Sequence, residues 1–522
     1  MKGLWTVICA FGVGAAYVAQ TVRWLRVLQR EHYEPSSLPR FWRRWTWASW
    51  RDATIPALRR RWSLNLAGVL WCTLPAALVV ALIFHAVWVV VVATVLYGGV
   101  CPRGLGLRGR TGRLEWTRRL RTVALVGLLI SAAGTALGAV GDEALLAGAL
   151  VVWAVPFTLA LAAQVLGPHE ARRAQSFVEQ AHQRLERVDP VVVAITGSYG
   201  KTSTKNHLAA LLGIDGGVVA TPKSFNNRAG LSRAINENLA DGTRVFVAEM
   251  GTYGPGEIRE LCQWCPPDIA VVTAIGPVHL ERMKSLDVIE AAKFEVTERA
   301  RVVVVNIDDP RLANWPARLV DRRVRTASSR SPSDVRVAIA GDLWHVWIEG
   351  HDVAQLRPIP GVQPTNVACA VAAALEVGAR ASEISRRLSG VGPVDNRANV
   401  VRAASGVVVV DDTFNANPAS ARAALEVLAS VTRPGRGVVV TPGLVELGAE
   451  QNAYNEALAR QVAEQSLELV IVGRTNEGAL TQGYAKEPRR FRRRDDAVTW
   501  VRETLVLGDA VLYLNDLPDH YP

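Results

Sequence analysis

Residues 190–211 read PVVVAITGSYGKTSTKNHLAAL. The run 191–195 is apolar and mostly β-branched, breaks at Gly197, turns through Gly200-Lys201-Thr202-Ser203, and resumes with helical spacing. A strand, a glycine loop and a helix in that order form an anion cradle. Main-chain N–H groups and the helix N-terminus face a phosphate, Lys201 reaches the outer phosphates, and the Thr202 hydroxyl faces Mg²⁺. Thr196, Gly197, Ser198, Gly200 and Ser203 complete the candidate nucleotide contacts. The strict phosphate-loop pattern asks for glycine where Ile195 stands, so the match is to a shortened variant, with an ordinary strand-to-helix turn as the alternative.

The formal net charge of +11 over 522 residues would suit nucleic acid, but its placement argues against such a partner. Residues 23–62 carry a net +7 and residues 101–122 a net +6, so the rest of the chain is slightly acidic. Two arginine-rich segments between apolar runs are the pattern of cytoplasmic membrane loops, not of a nucleic-acid groove. Eleven of the sixteen tryptophans precede residue 168, and Trp42, Trp45, Trp47 and Trp50 alternate with arginines, as in a segment at the lipid headgroups.

Residues 3–22 hold no charge and are long enough to span a bilayer; a retained helix with its N-terminus outside is preferred over a signal peptide. Residues 63–100, interrupted only by His85, read as a helical hairpin, and 123–140 and 144–167 as two further spans. Five spans leave both arginine segments and the C-terminal part in the cytoplasm. His85 reads as a helix-end residue, with an intramembrane functional group as the alternative. Residues 168–189 form a polar connecting helix.

Beyond residue 190 strands are expected near 191–196, 244–249, 268–274 and 301–306, with helices between them. A second α/β unit begins near Pro393, with strands near 406–411, 436–441, 468–473 and 509–514. The expected fold class is multi-domain. A transmembrane α-helical bundle (1–167) and the linker (168–189) precede an α/β P-loop ATPase domain with a mainly parallel sheet (190–391) and a C-terminal α/β Rossmann-like domain (392–522). Cys262 and Cys265 form a Cys-x-x-Cys with no second pair to complete a zinc site, so they read as buried reduced thiols. Glu249 ends a hydrophobic strand, where a carboxylate can hold Mg²⁺ opposite the loop hydroxyl. His279 follows another strand, and Lys293 taken alone is an exposed helix lysine.

The ordered motifs TGSYGKTSTK, SFNNRAG, VAEMGTYGPGEI, PDIAVVTAIGPVHLE, AAKFEV, NIDDP, PVDNR and DDTFNANPASARAALEVL resemble the Mur ligase family, especially the type that adds D-alanyl-D-alanine to a UDP-muramoyl-tripeptide. The resemblance covers about residues 190–475. It implies ATP as cofactor with two Mg²⁺ sites: Gly197, Gly200 and Lys201 on the phosphates, Thr202 and Glu249 on the first cation, and His279 on the second. Lys293 matches the lysine that many members carbamylate into a carboxylate-like ligand. Asn366 corresponds to an asparagine near the adenine, Arg397 to an arginine reaching the transferring phosphate, and Asp412 to an aspartate closing on the nucleotide. Asn415 and Asn417 match a turn that shapes the closed site. The adenine segment departs from the family pattern, reading Thr365-Asn366-Val367-Ala368-Cys369.

Where the usual member carries a soluble domain for the UDP end of its substrate, this chain carries the apolar helices. Its last strand runs into NDLPDHYP, where Asp516, Asp519 and His520 either contact an acceptor or close the strand. The implied function is an integral-membrane ATP-dependent amide ligase with cytoplasmic catalytic domains. It would activate a carboxylate of a cell-envelope precursor, lipid-linked or membrane-proximal, as an acyl phosphate for attack by an amino acid or short peptide. The alternatives are an amidating ligase fed by a glutaminase partner and a non-catalytic nucleotide-sensing membrane scaffold.

Overall fold

The apolar N-terminal sequence folds as long helices. The computed structural model of the chain describes residues 2–46, 87–100, 102, 105–107, 114–140, 143–213, 217–222, 225–359, 361–393, 399–413, 416–432, 435–517 and 521. Its helices here are α1 (Lys2–Arg30), α2 (Val87–Val100), α3 (Arg118–Val140) and α4 (Ala144–Val188). Among the described residues, three helices are long and apolar enough to cross a bilayer, at Trp5–Arg30, Arg118–Val140 and Ala144–Val188. The shorter α2 falls in the second arm of the expected hairpin; the first arm, with His85, lies outside the described residues. Large apolar side chains face outward on these helices, among them Phe11, Leu129, Leu137 and Val140.

One sequence expectation changes here. Arg23 and Arg26, assigned to a solvated loop, lie buried inside α1. Arg23 Nε donates to the Leu105 carbonyl at 3.0 Å, Arg23 Nη1 to Gly98, and Arg26 Nη1 to Gly106. Free main-chain carbonyls satisfy the guanidinium donors, so the charges stay inside the helix packing. The segment 168–189, read as a polar connecting helix, is helical to Val188 and runs on from α4 through Pro168.

Two compact units result: residues 1–173 with 517–522, and residues 174–516. In the first, the Tyr521 ring lies edge-on to Phe41 at 4.9 Å, with the Arg44 guanidinium 5.2 Å from its centre. In the second, the end of α4 lies on the α/β layers, with His182 Nδ1 2.8 Å from the Trp264 carbonyl and Arg184 donating to that of Asn236.

A nine-stranded sheet organises the second unit, in the order β2-β3-β1-β4-β5-β6-β7-β8-β9. Its strands are β1 (Val191–Thr196), β2 (Val218–Ala220), β3 (Val245–Glu249), β4 (Ile269–Val272), β5 (Val302–Asn306), β6 (Arg323–Ser328), β7 (Val335–Ala340), β8 (Leu343–Ile348) and β9 (His351–Leu356). From β2 to β7 in that order the strands run parallel, and the β-branched runs of β1, β3, β4 and β5 are buried on both faces. Val192 and Ala194 face one apolar cluster and Val193 and Ile195 the other, the two-residue period of a strand. The mainly parallel expectation ends at β7, where an antiparallel meander extends the sheet. Its β8–β9 turn is Glu349-Gly350, both with positive φ, as a type I′ hairpin requires.

A second sheet has the order β10-β11-β15-β12-β13-β14, comprising β10 (Asn399–Arg402), β11 (Val408–Asp412), β12 (Gly437–Thr441), β13 (Glu468–Val472), β14 (Arg489–Phe491) and β15 (Ala510–Leu514). It is parallel except for the edge strand β10.

Helix α5 (Lys201–Leu212) follows β1 and carries buried His207. Burial pushes this imidazole's pKa from 6.5 down to about 4. Between those values the unfolded chain holds more protons than the folded one, so stability falls as pH drops through that window. The melting temperature of the detergent-solubilised chain is therefore expected to fall more steeply between pH 6.5 and 4 than that of His207→Leu. Superimposable profiles, after normalising to pH 8, would exclude His207 as the source.

Candidate functional site

The site lies where parallel strands deliver their carboxyl ends side by side. Ile195 of β1 pairs with Glu249 of β3, and Thr196 with Val272 of β4, so the loop after β1 sits between Glu249 and Thr273. The loop has two glycines at positive φ, Gly197 at 151° and Gly200 at 85°. A Cβ on Gly197 would stand 2.0 Å from Thr273 Oγ1, and one on Gly200 2.5 Å from Asn366 Oδ1. Both positions thus need glycine for backbone conformation and for space. Asn366 comes from the N-terminal turn of α6 (Pro364–Val377), which brings that predicted residue against the loop.

Hydrogen bonds hold the loop open. Ser198 N donates to the Ala274 carbonyl at 2.7 Å, and Ser198 Oγ donates to the Gly276 carbonyl at 3.0 Å. Thr273 Oγ1 donates to the carbonyls of Thr196 and Tyr199. Lys201 Nζ reaches back over the loop to the Gly197 carbonyl at 2.6 Å. The Thr196 hydroxyl is fully buried and has no hydrogen-bond partner among the described residues.

Glu249 is 1% exposed, and three donors meet its carboxylate. Thr202 Oγ1 and Lys205 Nζ each lie 3.0 Å from Oε2, and Asn226 Nδ2 lies 3.2 Å from Oε1. The structure therefore brings Thr202 and Glu249, both singled out from the sequence, together. Lys205 and Asn226 were not singled out from the sequence. Lys205 follows Thr202 by three residues on α5 and so shares its face, a spacing that contains the signal.

Lys293, read alone as an exposed lysine, is instead buried on α7 (Leu286–Phe294). Burial, reinforced by the positive charge of Lys201, pushes its pKa well below the ordinary lysine range. The neutral amine this favours is the form that can react with CO₂. His279 has left-handed backbone, φ 56°, and its Nδ1 pairs with Glu446 of the C-terminal domain, another residue absent from the sequence reading.

Asp412 is buried at the end of β11, where its carbonyl accepts the Asn515 N–H at 3.0 Å. Asn417 caps α8 (Pro418–Val431), accepting from Ala419 N and Ser420 N at 3.0 Å each. Arg397 and Asn415 lie outside the described residues. Cys262 and Cys265 are buried free thiols, and burial pushes the Cys262 thiol up to about 12 and that of Cys265 still higher. Asp516 pairs with Arg494, while Asp519 and His520 lie outside the described residues.

Among the described residues no cluster of three or more His, Cys, Asp or Glu side chains forms a ready-made metal cage. One hydroxyl beside one carboxylate fits Mg²⁺ delivered with phosphates, since that ion keeps water and phosphate oxygens in its shell.

Residues 195–391 match the Mur ligase middle domain, and residues 396–514 match the Mur ligase, glutamate ligase domain. A UDP-N-acetylmuramoyl-tripeptide–D-alanyl-D-alanine ligase of Mycobacterium leprae (strain TN) is 32% identical over 363 residues, 62% of this chain and 70% of that one. The chain belongs to the Mur ligase family. The Mycobacterium tuberculosis (strain ATCC 25618 / H37Rv) protein of the same name is 34% identical over 307 residues, 54% of this chain and 58% of its own length. The solved MurF ligase from Thermotoga maritima in complex with ADP has a TM-score of 0.58 at 25% identity, covering 66% of this chain and 80% of that one. Mur ligases are ATP-dependent amide ligases, and the loop, Glu249 and Asn366 lie within the matched middle domain of this one.

In this Mur ligase the Lys205–Glu249 pair is buried on both sides, with side-chain exposures of 2% and 1%. Removing one partner strands the other charge in a low dielectric, at a cost of about 3–5 kcal/mol. Lys205→Met is expected to lose stability of that order in chemical unfolding, and Lys205→Met with Glu249→Gln to recover most of it. A double variant as unstable as the single one would show that Lys205 contributes packing and not charge.

Proposed function

We propose that the chain is a membrane-anchored Mur-type ligase that joins an amino acid or short peptide to a carboxylate of a peptidoglycan-type precursor, lipid-linked or held at the membrane, on the cytoplasmic side. The observation that carries the reaction type is the Thr202–Glu249 pair beside the glycine loop and Lys201, at the carboxyl ends of β1 and β3. The membrane reading is supported by three helices of spanning length and apolarity and by the arginine-rich segments near them. These helices stand outside both matched domains.

Bound Mg²⁺–ATP would supply the phosphoryl group that converts a poorly electrophilic carboxylate into an acyl phosphate. The loop amides and Lys201 would hold the phosphates, and Thr202 and Glu249 would hold the first cation. His279 and Lys293, the latter as its carbamate, would hold the second; an unmodified ammonium there would repel it. Arg397 is assigned to the transferring phosphate, Asn366 to the adenine side, and Asp412 to the nucleotide in the closed form. A substrate carboxylate oxygen attacks the terminal phosphorus as its bond to ADP breaks. The amine nitrogen then attacks the acyl carbon, phosphate leaves, the nitrogen loses a proton, and an amide remains. Closing the two domains over this centre keeps water from the acyl phosphate.

The test is the full chain in detergent with ATP, Mg²⁺, extracted lipid-linked precursors and an amino-acid pool. ADP release that requires the amine, a new amide by mass spectrometry, and loss of both in Lys201→Ala by at least 100-fold are expected. Equal product from soluble UDP-muramoyl-tripeptide and D-alanyl-D-alanine would sink the membrane-substrate part. Release of the protein by alkaline carbonate would sink the anchor.

A further inference from the structure

His279 is held from two sides. On one side Glu446 pairs with its Nδ1; on the other the ring lies edge-on to Tyr253, 4.6 Å between centres at 61°. The Arg282 guanidinium lies 4.9 Å from the Tyr253 ring centre and backs that aromatic wall. Glu446 is fixed in turn, with left-handed φ of 62° and a main-chain carbonyl that accepts the Glu281 N–H at 3.2 Å. A Cβ built on Gly448 would stand 3.4 Å from the Leu280 carbonyl and the Glu281 nitrogen, so the segment after His279 lies against the loop after β12.

A carboxylate on Nδ1 fixes the imidazole in one tautomer. Nδ1 carries the proton and donates, Nε2 keeps its lone pair, and the ring cannot turn without breaking the pair. This arrangement of carboxylate, histidine and metal is general among histidine ligands. In this chain the carboxylate comes from 167 residues away, in the other catalytic domain.

We propose that Glu446 is a positioning residue for His279: the C-terminal domain supplies the carboxylate that aims Nε2 at the second cation, so that cation position is complete only while the two catalytic domains are docked. This rests on the reading of His279 as the second-cation ligand. A domain-bridging ion pair with no role beyond adhesion would look the same in the coordinates but behave differently toward metal.

The experiment is a Mn²⁺ titration followed by electron paramagnetic resonance, on the full chain with a non-hydrolysable ATP analogue, for wild type, Glu446→Ala, Glu446→Gln, His279→Ala and the Glu446→Ala/His279→Ala double variant. Wild type is expected to bind two Mn²⁺. Glu446→Ala should keep the first at wild-type affinity and weaken the second about 10–100-fold. Glu446→Gln, whose amide oxygen still accepts from Nδ1, should fall between them, and the double variant should be no weaker than His279→Ala. Glu446 side chains are 32% exposed on a loop, so these variants keep their fold, which a melting curve verifies. Two Mn²⁺ at unchanged affinity in Glu446→Ala, with only a lower melting temperature, would overturn the proposal in favour of adhesion. Identical binding by wild type and His279→Ala would instead remove His279 from the metal site, and the proposal with it.

Discussion

A carboxylate buried to 1% exposure survives as an anion only if donors surround it, and Glu249 has a hydroxyl, an ammonium and an amide on its two oxygens. Each donor comes from a different distance along the chain, and each fixes a piece of the architecture. Thr202 and Lys205 set the rotation of α5 about its axis, because both must face β3. Asn226 draws the segment before the next helix over the strand end. The parallel register of Ile195 with Glu249 then puts the glycine loop beside the acid without further adjustment.

The same economy of partners runs along the carboxyl edge of the sheet. Asn306 Nδ2 at the end of β5 donates to the Thr273 carbonyl at 2.7 Å, next to the hydroxyl that clamps the loop. Asp309 accepts from Ile275 N at 2.7 Å. Burial works to raise the Asp308 carboxyl, but hydrogen bonds from Ser328, Ser329 and Thr365 prevail and hold it below the usual range. Thr365 also opens α6, so the helix that sets Asn366 against Gly200 is tied to the ends of β5 and β6. These polar contacts tie the glycine loop to the helix that carries Asn366.

What the sequence revealed follows from how local each signal is. The strand, loop and first helix occupy 22 adjacent residues, and their periods and glycines state their conformation outright. Glu249 was legible because a charge ending an apolar strand is unusual. Lys205 was not, since a lysine on a helix ordinarily points to water and only the pairing with Glu249 draws it inside. Lys293 entered through family resemblance, and its burial is a property of the packed domain that no spacing within AAKFEV records. Glu446 lies beyond any local pattern. Arg23 and Arg26 misled in the opposite sense, because counting charges places arginine in solvent, whereas a guanidinium that finds free carbonyls can remain inside a helix bundle.

Acyl phosphates are quickly lost to water, so a ligase must prevent phosphoryl transfer from running ahead of the amine. A first cation position built wholly within one domain would let nucleotide bind in the open form. A second position that requires a carboxylate from the other domain would withhold the remaining charge compensation until docking, when water is also displaced. Binding and activation would then be separated by one hydrogen bond between domains, and the commitment to spend ATP would follow from closure itself.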